Sequence, residues 1–173
     1  MNPMQYAVYK GTGGKFGAIQ FNLQKPHFYS GKFKDYTGAE AFEVVDGKRR
    51  LKDGWKEREG CVFLEITSAK DKNVYDWDSK IIFALSVGDM GKVLLGLGKV
   101  GETEIMHDPN AKSTDAGKVK KFLNMKLSDK GALFSVTQMS GGERVSHSVP
   151  LSPDEVVVLR QLLQAGIVTA LSW

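Results

Sequence analysis

The segments LSVGDM (residues 85–90) and LSPDEV (residues 151–156) each begin a helix, and together they decide the predicted fold. Ser86 and Ser152 precede acidic first turns, which is the pattern of a helix N-cap with a capping box. Both segments follow several stretches in which apolar and polar residues alternate, as they do in half-buried strands. Two strands-then-helix units, which begin their helices 66 residues apart, indicate an internal duplication.

Period-2 alternation predicts the strands, and apolar stripes at helical spacing predict the helices. In residues 73–85 the alternation places Tyr75 and Trp77 on the buried face. The other predicted strands are residues 16–23, 61–68, 102–107, 119–127, 132–139 and 144–149. The helical stripes are Met90, Val93, Leu94 and Leu97, followed by Val156, Leu159, Leu163 and Ile167. The pattern predicts an α+β protein.

The chain of 173 residues is predicted to form one domain, residues 1–173, with a first half of about residues 1–100 and a second half of about residues 101–173. Its 42% hydrophobic and 25% charged residues are typical of globular proteins and argue against disorder. Residues 31–60 hold only short apolar patches, so we expect a long connection there, part of which orders only on binding.

The sequence also bears on where the protein works. No apolar run approaches the roughly 20 residues that span a membrane, and the first residues lack a basic segment followed by an apolar one. The single cysteine, Cys61, lies in an apolar stretch and is predicted to be a buried strand residue with a free thiol. We therefore expect a soluble, intracellular protein in a reducing compartment, with no membrane partner and no evident organelle transit peptide.

The glycine-rich segment KGTGGKFG (residues 10–17) does not fit a nucleotide-binding loop. A Walker loop requires Ser or Thr where Phe16 stands, and a dinucleotide fingerprint requires glycine there. Both also require a following helix, whereas a strand is predicted. His27, His107 and His147 lack metal-ligand spacing, and the cysteine has no adjacent base. We therefore predict no enzyme, no catalytic residue, no metal and no cofactor.

The most informative segment is residues 117–127, which belongs to the most lysine-rich part of a chain of net charge +4. On a strand, alternation places cations, a ring and an amide on one face and core residues on the other, interrupted only by Lys121. Cations beside rings are typical of sequence-tolerant single-strand binding. The alternative is an edge strand that its lysines protect from aggregation. The candidate contacts on this face are Lys118, Lys120, Phe122, Asn124 and Lys126.

A second group of candidate contacts lies in the first half of the chain. Phe16 and Gln20 share the polar face of the first predicted strand, beside Lys10 and Lys15. Lys80 has the opposite parity to the buried face of residues 73–85. We predict that the lysines contact phosphates, that Phe16 stacks on a base and that Gln20 forms hydrogen bonds. A simple exposed aromatic is the alternative for Phe16.

Three motifs in order, YDWDSKIIFALS (residues 75–86), HDP (residues 107–109) and DAGKVKKFLNMKL (residues 115–127), resemble the Whirly family of single-stranded DNA-binding proteins. The last helix, ending at Trp173, is similar to the family's ending. Near the start, YKGTGGKFGAI matches the family's lysine-glycine-lysine segment only at Lys10 and Gly11, which argues against very large assemblies. The connection at residues 31–60 is longer than is usual in the family.

The resemblance implies two antiparallel four-stranded sheets, each followed by a helix (ββββα twice), in a fold related to the transcriptional coactivator positive cofactor four. It implies homo-oligomers, dimers or tetramers, whose helices pack centrally and whose sheets face single-stranded DNA. The implied roles are replication, recombination, repair or transcription. The residues leave RNA open as an alternative to DNA. A coactivator that acts mainly through protein contacts also remains open.

Overall fold

The computed structural model describes residues 5–11, 16–109, 111, 114 and 117–171. Lys15 and Trp173, both named above, lie outside the described residues, as do Asp115 and Ala116 at the start of the third motif. Strand labels below follow chain order.

The first half forms an antiparallel sheet, called sheet 1, which is followed by helix α1 (Val87–Gly96). Its main strands in spatial order are β1 (Gln5–Tyr9), β2 (Gly17–Gln24), β8 (Cys61–Asp71) and β10 (Ile81–Leu85). A two-residue strand, β9 (Val74–Tyr75), pairs with the end of β8. Sequence alternation missed β1, whose five residues give too short a pattern.

The second half forms a four-stranded antiparallel sheet, called sheet 2, which is followed by helix α2 (Pro153–Ala170). Its strands lie in chain order and are β11 (Gly101–His107), β12 (Val119–Ser128), β13 (Gly131–Ser140) and β14 (Glu143–Leu151). All four agree with the predicted strands to within two residues at either end. The expected ββββα arrangement is confirmed in both halves.

The core lies between the inner faces of the sheets and the two helices. In sheet 1 the register aligns Ile19 with Ile66 and Ile66 with Ile81, and none of these side chains is more than 3% exposed. Leu123 of β12 and Leu159 of α2 belong to the same hydrophobic cluster. Because side chains alternate along a strand, the opposite, outer face of each sheet carries most of the polar residues.

Both helices begin as the sequence predicts. Asp89 donates its backbone N–H to Ser86 Oγ at 3.2 Å and accepts from the Ser86 hydroxyl at 2.6 Å, which completes a capping box. At α2 the backbone N–H of Ser152 donates to Glu155 Oε2 at 2.8 Å. These bonds satisfy N–H groups that a helix start otherwise leaves unpaired.

Residues 73–85 do not form one continuous strand, and this corrects the prediction for the aromatics there. A turn of 3₁₀-helix, Trp77–Ser79, separates β9 from β10. Face assignment by alternation holds only within an extended strand, so Tyr75 and Trp77 are half-buried rather than part of the core. Cys61 is also half-buried, at the start of β8, where burial raises the pKa of its thiol.

Residues 27–58, called the insert, fold into strands, so the expectation of a long unstructured connection is wrong. Strands β3 (His27–Ser30), β4 (Phe33–Asp35) and β7 (Lys56–Arg58) form a small sheet, and β5 (Phe42–Val45) and β6 (Lys48–Leu51) form a hairpin. Asp46 and Gly47, between β5 and β6, have φ of 52° and 72°. An Asp-Gly pair with positive φ is the preferred two-residue hairpin turn, which was the overlooked signal.

The insert also prolongs sheet 1. Gln24 of β2 pairs with Cys61 of β8, and after Pro26 the pairing resumes in the same register with His27 against Arg58. Gly60 fits closely at this junction, because a Cβ there would lie 2.6 Å from Ala170 Cα of α2. The insert is therefore attached to the sheet and to the end of α2 rather than hanging from a loop.

Candidate nucleic-acid interface

The outer face of β12 gathers five of the predicted contact residues. Leu123 and Met125 are 1% and 2% exposed and point into the core. The residues that alternate with them are Lys120, Phe122, Asn124 and Lys126, of which only Phe122 is partly covered. Lys118 precedes the strand and is also exposed. The predicted segregation of cations and core residues on this strand is confirmed.

Neighbouring strands add side chains that the sequence analysis did not select. Phe122 is aligned with Met106 of β11, which is 54% exposed, and Lys120 is aligned with Met139 of β13, which is 44% exposed. Met139 is in turn aligned with Arg144 of β14. Sheet 2 thus presents a patch in which apolar side chains lie between cations. Outward alternation in residues 144–149 was the signal that could have identified Arg144.

A row of small hydroxyl side chains continues this face toward β14. Ser135 Oγ lies 2.7 Å from Ser148 Oγ, and Thr137 Oγ1 lies 3.0 Å from Ser146 Oγ. These side chains are short, so the surface between β13 and β14 is low and carries hydroxyls that can donate or accept. Hydroxyls of this kind contact phosphate and sugar oxygens in nucleic-acid complexes.

The acidic edge strand β11 limits the positive charge of the patch. Lys126 Nζ lies 2.9 Å from Glu102 Oε1, and the two side chains are 65% and 73% exposed. Glu104 lies opposite Asn124 on the same face. The cations nearest Lys120 and Arg144 are therefore better placed to attract an anion than the end of the sheet where Lys126 lies.

Lys121, which interrupts the apolar face of β12, connects the two sheets. Its Nζ donates to the backbone carbonyl of Ile82 in β10 at 2.8 Å. Burial lowers the pKa of Lys121. A groove of about 520 Å³ opens beside it, between Ile82 of sheet 1 and Met106 of sheet 2. The interruption in the sequence pattern thus marks the place where the outer faces of the sheets meet.

The outer face of sheet 1 has a polar network at its centre. Glu65, whose residue is 8% exposed, accepts from Gln20 Nε2 at 2.8 Å and from Asn22 Nδ2 at 3.2 Å. Lys80 Nζ lies 2.6 Å from Glu65 Oε2. The predicted contacts Gln20 and Lys80 therefore lie together, but both are already bound to this carboxylate. A phosphate would have to compete with Glu65 for Lys80.

Three aromatic residues lie together at one end of the same face. Tyr9 of β1 and Tyr75 of β9 have ring centroids 5.3 Å apart. Phe16 lies beside them, because its backbone carbonyl accepts from Ala69, the residue that pairs with Tyr75. Tyr9 and Phe16 are 55% and 44% exposed. The sequence analysis selected only Phe16, since it assigned Tyr75 to the core and missed β1.

Lys10 is directed to a different part of the molecule from the other candidates. Its Nζ lies 2.9 Å from Glu155 Oε2 in the first turn of α2. Burial alone would raise the pKa of Glu155, but the hydrogen bonds from Lys10 and Ser152 hold that pKa below its usual value. Lys10 thus ties the end of β1 to the helix start. Residues 10–17 form the β1–β2 connection and lead into a strand, as predicted.

The His107 motif forms a structural cluster below the groove. Asp89 Oδ2 accepts from Ser86 Oγ at 2.6 Å and lies 3.0 Å from His107 Nε2, and the His107 ring stacks on Phe83 at 4.3 Å. Burial would raise the pKa of Asp89, but the bonds from Ser86 and the charge of His107 lower it. The serine bonds the carboxylate rather than the imidazole, so these residues lack the order of a nucleophilic triad.

Two antiparallel sheets that share one core, each followed by a capped helix and each presenting an outer face, define a duplicated ββββα class of proteins. The chain belongs to the Whirly family, since the family model described as Whirly transcription factor matches residues 39–162.

Relatives and solved structures agree with this assignment. The chain is 30% identical over 172 residues to the single-stranded DNA-binding protein WHY1, chloroplastic, of Zea mays, covering 97% of this chain and 56% of that protein. It is 26% identical over 135 residues to the single-stranded DNA-binding protein WHY2, mitochondrial, of Arabidopsis thaliana, covering 76% and 54%. The chain thus spans about half the length of these relatives. The crystal structure of WHY3 from Arabidopsis thaliana matches with a TM-score of 0.76 at 24% identity, covering 98% of this chain and 89% of that chain.

Proposed function

We propose that the protein binds single-stranded DNA with little sequence preference, through the outer faces of its sheets and without catalysing a reaction. The observation that carries this proposal is the outer face of β12, where Lys120, Phe122 and Asn124 alternate beside Met106 and Arg144. The names of the relatives, which are single-stranded DNA-binding proteins, support it.

The chemistry of this face suits a flexible single strand. Each base that stacks on an aromatic ring gains roughly 1–3 kcal/mol, and every base offers a ring face, so stacking favours no sequence. Lysine and arginine attract phosphates irrespective of the bases. The aromatic cluster of Tyr9, Phe16 and Tyr75 supplies a second stacking position on sheet 1. The groove beside Lys121 joins the two faces into one path.

The process that uses the bound strand follows from the family. Its description names transcription, so we infer that the bound strand serves transcription, replication, recombination or repair. We further propose that the protein works inside a cell, with its nucleic acid. Among the described residues, no helix is long and apolar enough to cross a membrane.

Helix α2 supports a homo-oligomer, dimer or tetramer. Val157, Val158, Leu162 and Val168 are between 44% and 58% exposed, although the opposite side of α2 packs into the core. A helix that is apolar on both sides is normally covered on both sides. A second copy of α2 would cover the exposed residues by self-complementary packing. Replacing Leu162 with Lys should lower the mass measured by light scattering to that of a smaller species, and an unchanged mass would reject this surface.

The single-strand proposal is tested by comparing two double variants. Lys120→Ala with Lys126→Ala removes cations from the outer face, and Lys92→Ala with Lys99→Ala removes the same charge from α1 and the turn after it. Fluorescence anisotropy with a labelled strand should show that the first variant lowers the slope of log affinity against log salt by about 0.7–1.4, since each lost phosphate contact is worth roughly 0.7. Equal slopes for both folded variants would reject the proposed face.

A further inference from the structure

The small sheet of the insert separates its residues by chemistry. Tyr29 of β3 is aligned with Lys34 of β4 and with Lys56 of β7, and His27 is aligned with Arg58. Aligned residues in an antiparallel sheet share a face, so these five side chains lie on the same side. We call this side, with its three cations and two rings, the insert face.

A third ring lies at the edge of the insert face. Tyr36 follows β4 and is 59% exposed, and its ring centroid is 5.4 Å from that of His27. The rings of His27 and Tyr29 are 6.0 Å apart. Rings and cations thus alternate over two adjacent rows of the small sheet, as they do on the outer face of β12.

The opposite side of the small sheet packs inward. Phe28 is aligned with Asp35 and Glu57, so the carboxylates of these strands lie on this side. The Phe28 ring packs edge-on against Phe42 at 4.9 Å. Phe28 and Glu57 also line a groove of about 330 Å³ with Ala170 and Leu171 at the end of α2. The alternation of side chains directs the insert face away from that groove.

The electrostatics of the insert face are one-sided. Its aligned positions hold Lys34, Lys56 and Arg58, all exposed, and no Asp or Glu. Among the residues that the structure describes, none of these three cations has a carboxylate within ion-pair distance. An exposed group of cations without acids attracts a polyanion, and the adjacent rings can stack on unpaired bases.

We propose that the insert face is a second binding surface for single-stranded nucleic acid, prolonging the path that begins on sheet 1. The inference rests on the proposed function, because it assigns this surface to the same ligand. Strands β3 and β7 continue the ladder of β2 and β8 in unchanged register, which makes the insert face an extension of the sheet. An acidic protein or duplex DNA would meet the charges but would offer no unpaired bases to the rings.

The test compares two triple variants of the full chain that remove equal charge from the insert. The first, Lys34→Ala/Lys56→Ala/Arg58→Ala, clears the insert face. The control, Lys32→Ala/Lys48→Ala/Arg50→Ala, changes exposed residues in the β3–β4 turn and the hairpin strand β6. With a single strand of about 30 nucleotides, the first variant should lower the salt slope by about 2, corresponding to three phosphate contacts, and the control should not.

A second pair of variants tests the rings. Tyr29→Ala should weaken single-strand binding by roughly 5- to 150-fold, whereas Tyr29→Phe, which keeps the ring, should bind like the wild type. Thermal unfolding of each variant checks that the insert is still folded. Duplex of the same length should show no difference between Tyr29→Ala and Tyr29→Phe.

The outcomes separate the two proposals. If the wild type prefers single strands but both triple variants match it, the insert face is rejected and the function stands. The same rejection follows if Tyr29→Ala and Tyr29→Phe bind alike. If the wild type shows no preference for single strands over duplex, the proposed function fails and the insert face fails with it.

Discussion

Replacing Glu102 with Gln should strengthen nucleic-acid binding, although Glu102 lies beside the proposed interface rather than in it. Glu102 holds Lys126 at 2.9 Å on the outer face of sheet 2. Both side chains are more than half exposed, at 65% and 73%, so the pair contributes at most about 1 kcal/mol to the free energy of unfolding. Its loss should change the melting temperature by no more than about 4 °C. The freed Lys126 can then contact a phosphate.

The size of the gain follows from the release of counterions. One additional phosphate contact makes the slope of log affinity against log salt steeper by about 0.7 for a single strand. Between 1 M and 0.1 M salt, this slope corresponds to about fivefold tighter binding. Fluorescence anisotropy over a salt series measures both quantities, with Glu143→Gln, in which the changed carboxylate begins β14, as a control of equal charge change. An unchanged slope for Glu102→Gln, or an equal gain in both variants, would refute the reasoning.

Three further predictions concern single residues. Phe122→Leu keeps the apolar character of the patch but removes the ring, so anisotropy should show single-strand affinity falling by roughly 5- to 150-fold, and unchanged affinity would exclude stacking there. Asp89→Ala leaves Ser86 and His107 without their carboxylate, and calorimetry should show about 1–3 kcal/mol less unfolding free energy. In the wild type the pKa of Asp89 is lowered despite its burial, because the bonds from Ser86 and the charge of His107 outweigh that burial; its stabilisation is therefore complete above the unfolded pKa of about 3.9 and is lost as the pH falls further, and Asp89→Ala should flatten this acid-side loss. Asp35→Ala removes the carboxylate that binds backbone N–H groups of residues 37–40, and faster amide exchange confined to the insert is expected, whereas exchange unchanged from the wild type would contradict this role.

The acid stability of the insert depends on the same Asp35 carboxylate. Burial opposes its ionisation, but hydrogen bonds from Thr37, Glu40 and Gly38 lower its pKa to about 2. A lowered pKa gives stabilisation that is present above the unfolded value and lost as the pH falls through the folded one. The turn after β4 should therefore stay closed at pH 4 and open near pH 2.

The elements that could be predicted from the sequence are those set by local rules. The cap residues Ser86 and Ser152 fixed both helix starts, and strict alternation from Val119 to Leu127 identified the outer face of β12. These signals are local because a cap bond or an alternating strand needs no distant partner to be recognised. The duplicated architecture followed from their repetition and from the family resemblance.

The missing parts depend on contacts between distant residues. Alternation could not reveal that a 3₁₀ turn separates Tyr75 from β10, so the aromatic cluster with Tyr9 was not anticipated. Likewise, Lys80 reads as a free cation until β8 brings Glu65 to 2.6 Å from it. Lys10 similarly finds Glu155 only when β1 packs beside α2. The sequence therefore identified which residue types could bind nucleic acid better than it identified which of them are free to do so.

The insert shows the same limit in another form. Its charged composition suggested a solvated connection, because acids and bases are mixed along the chain. Pairing of β3 with β4 and β7 sorts them, placing Lys34, Lys56 and Arg58 on one side and Asp35 with Glu57 on the other. Mixed charge in the sequence thus becomes separated charge in the fold.

The most direct test of single-strand binding is the affinity of the unmodified chain for a labelled single strand and for the duplex of the same sequence, measured across a salt series. The proposed function predicts tighter binding of the single strand at every salt concentration. The preference should persist at high salt, because stacking on rings such as Phe122 and Phe16 is not screened as phosphate contacts are. Equal binding of both forms, or a preference for duplex, would contradict it.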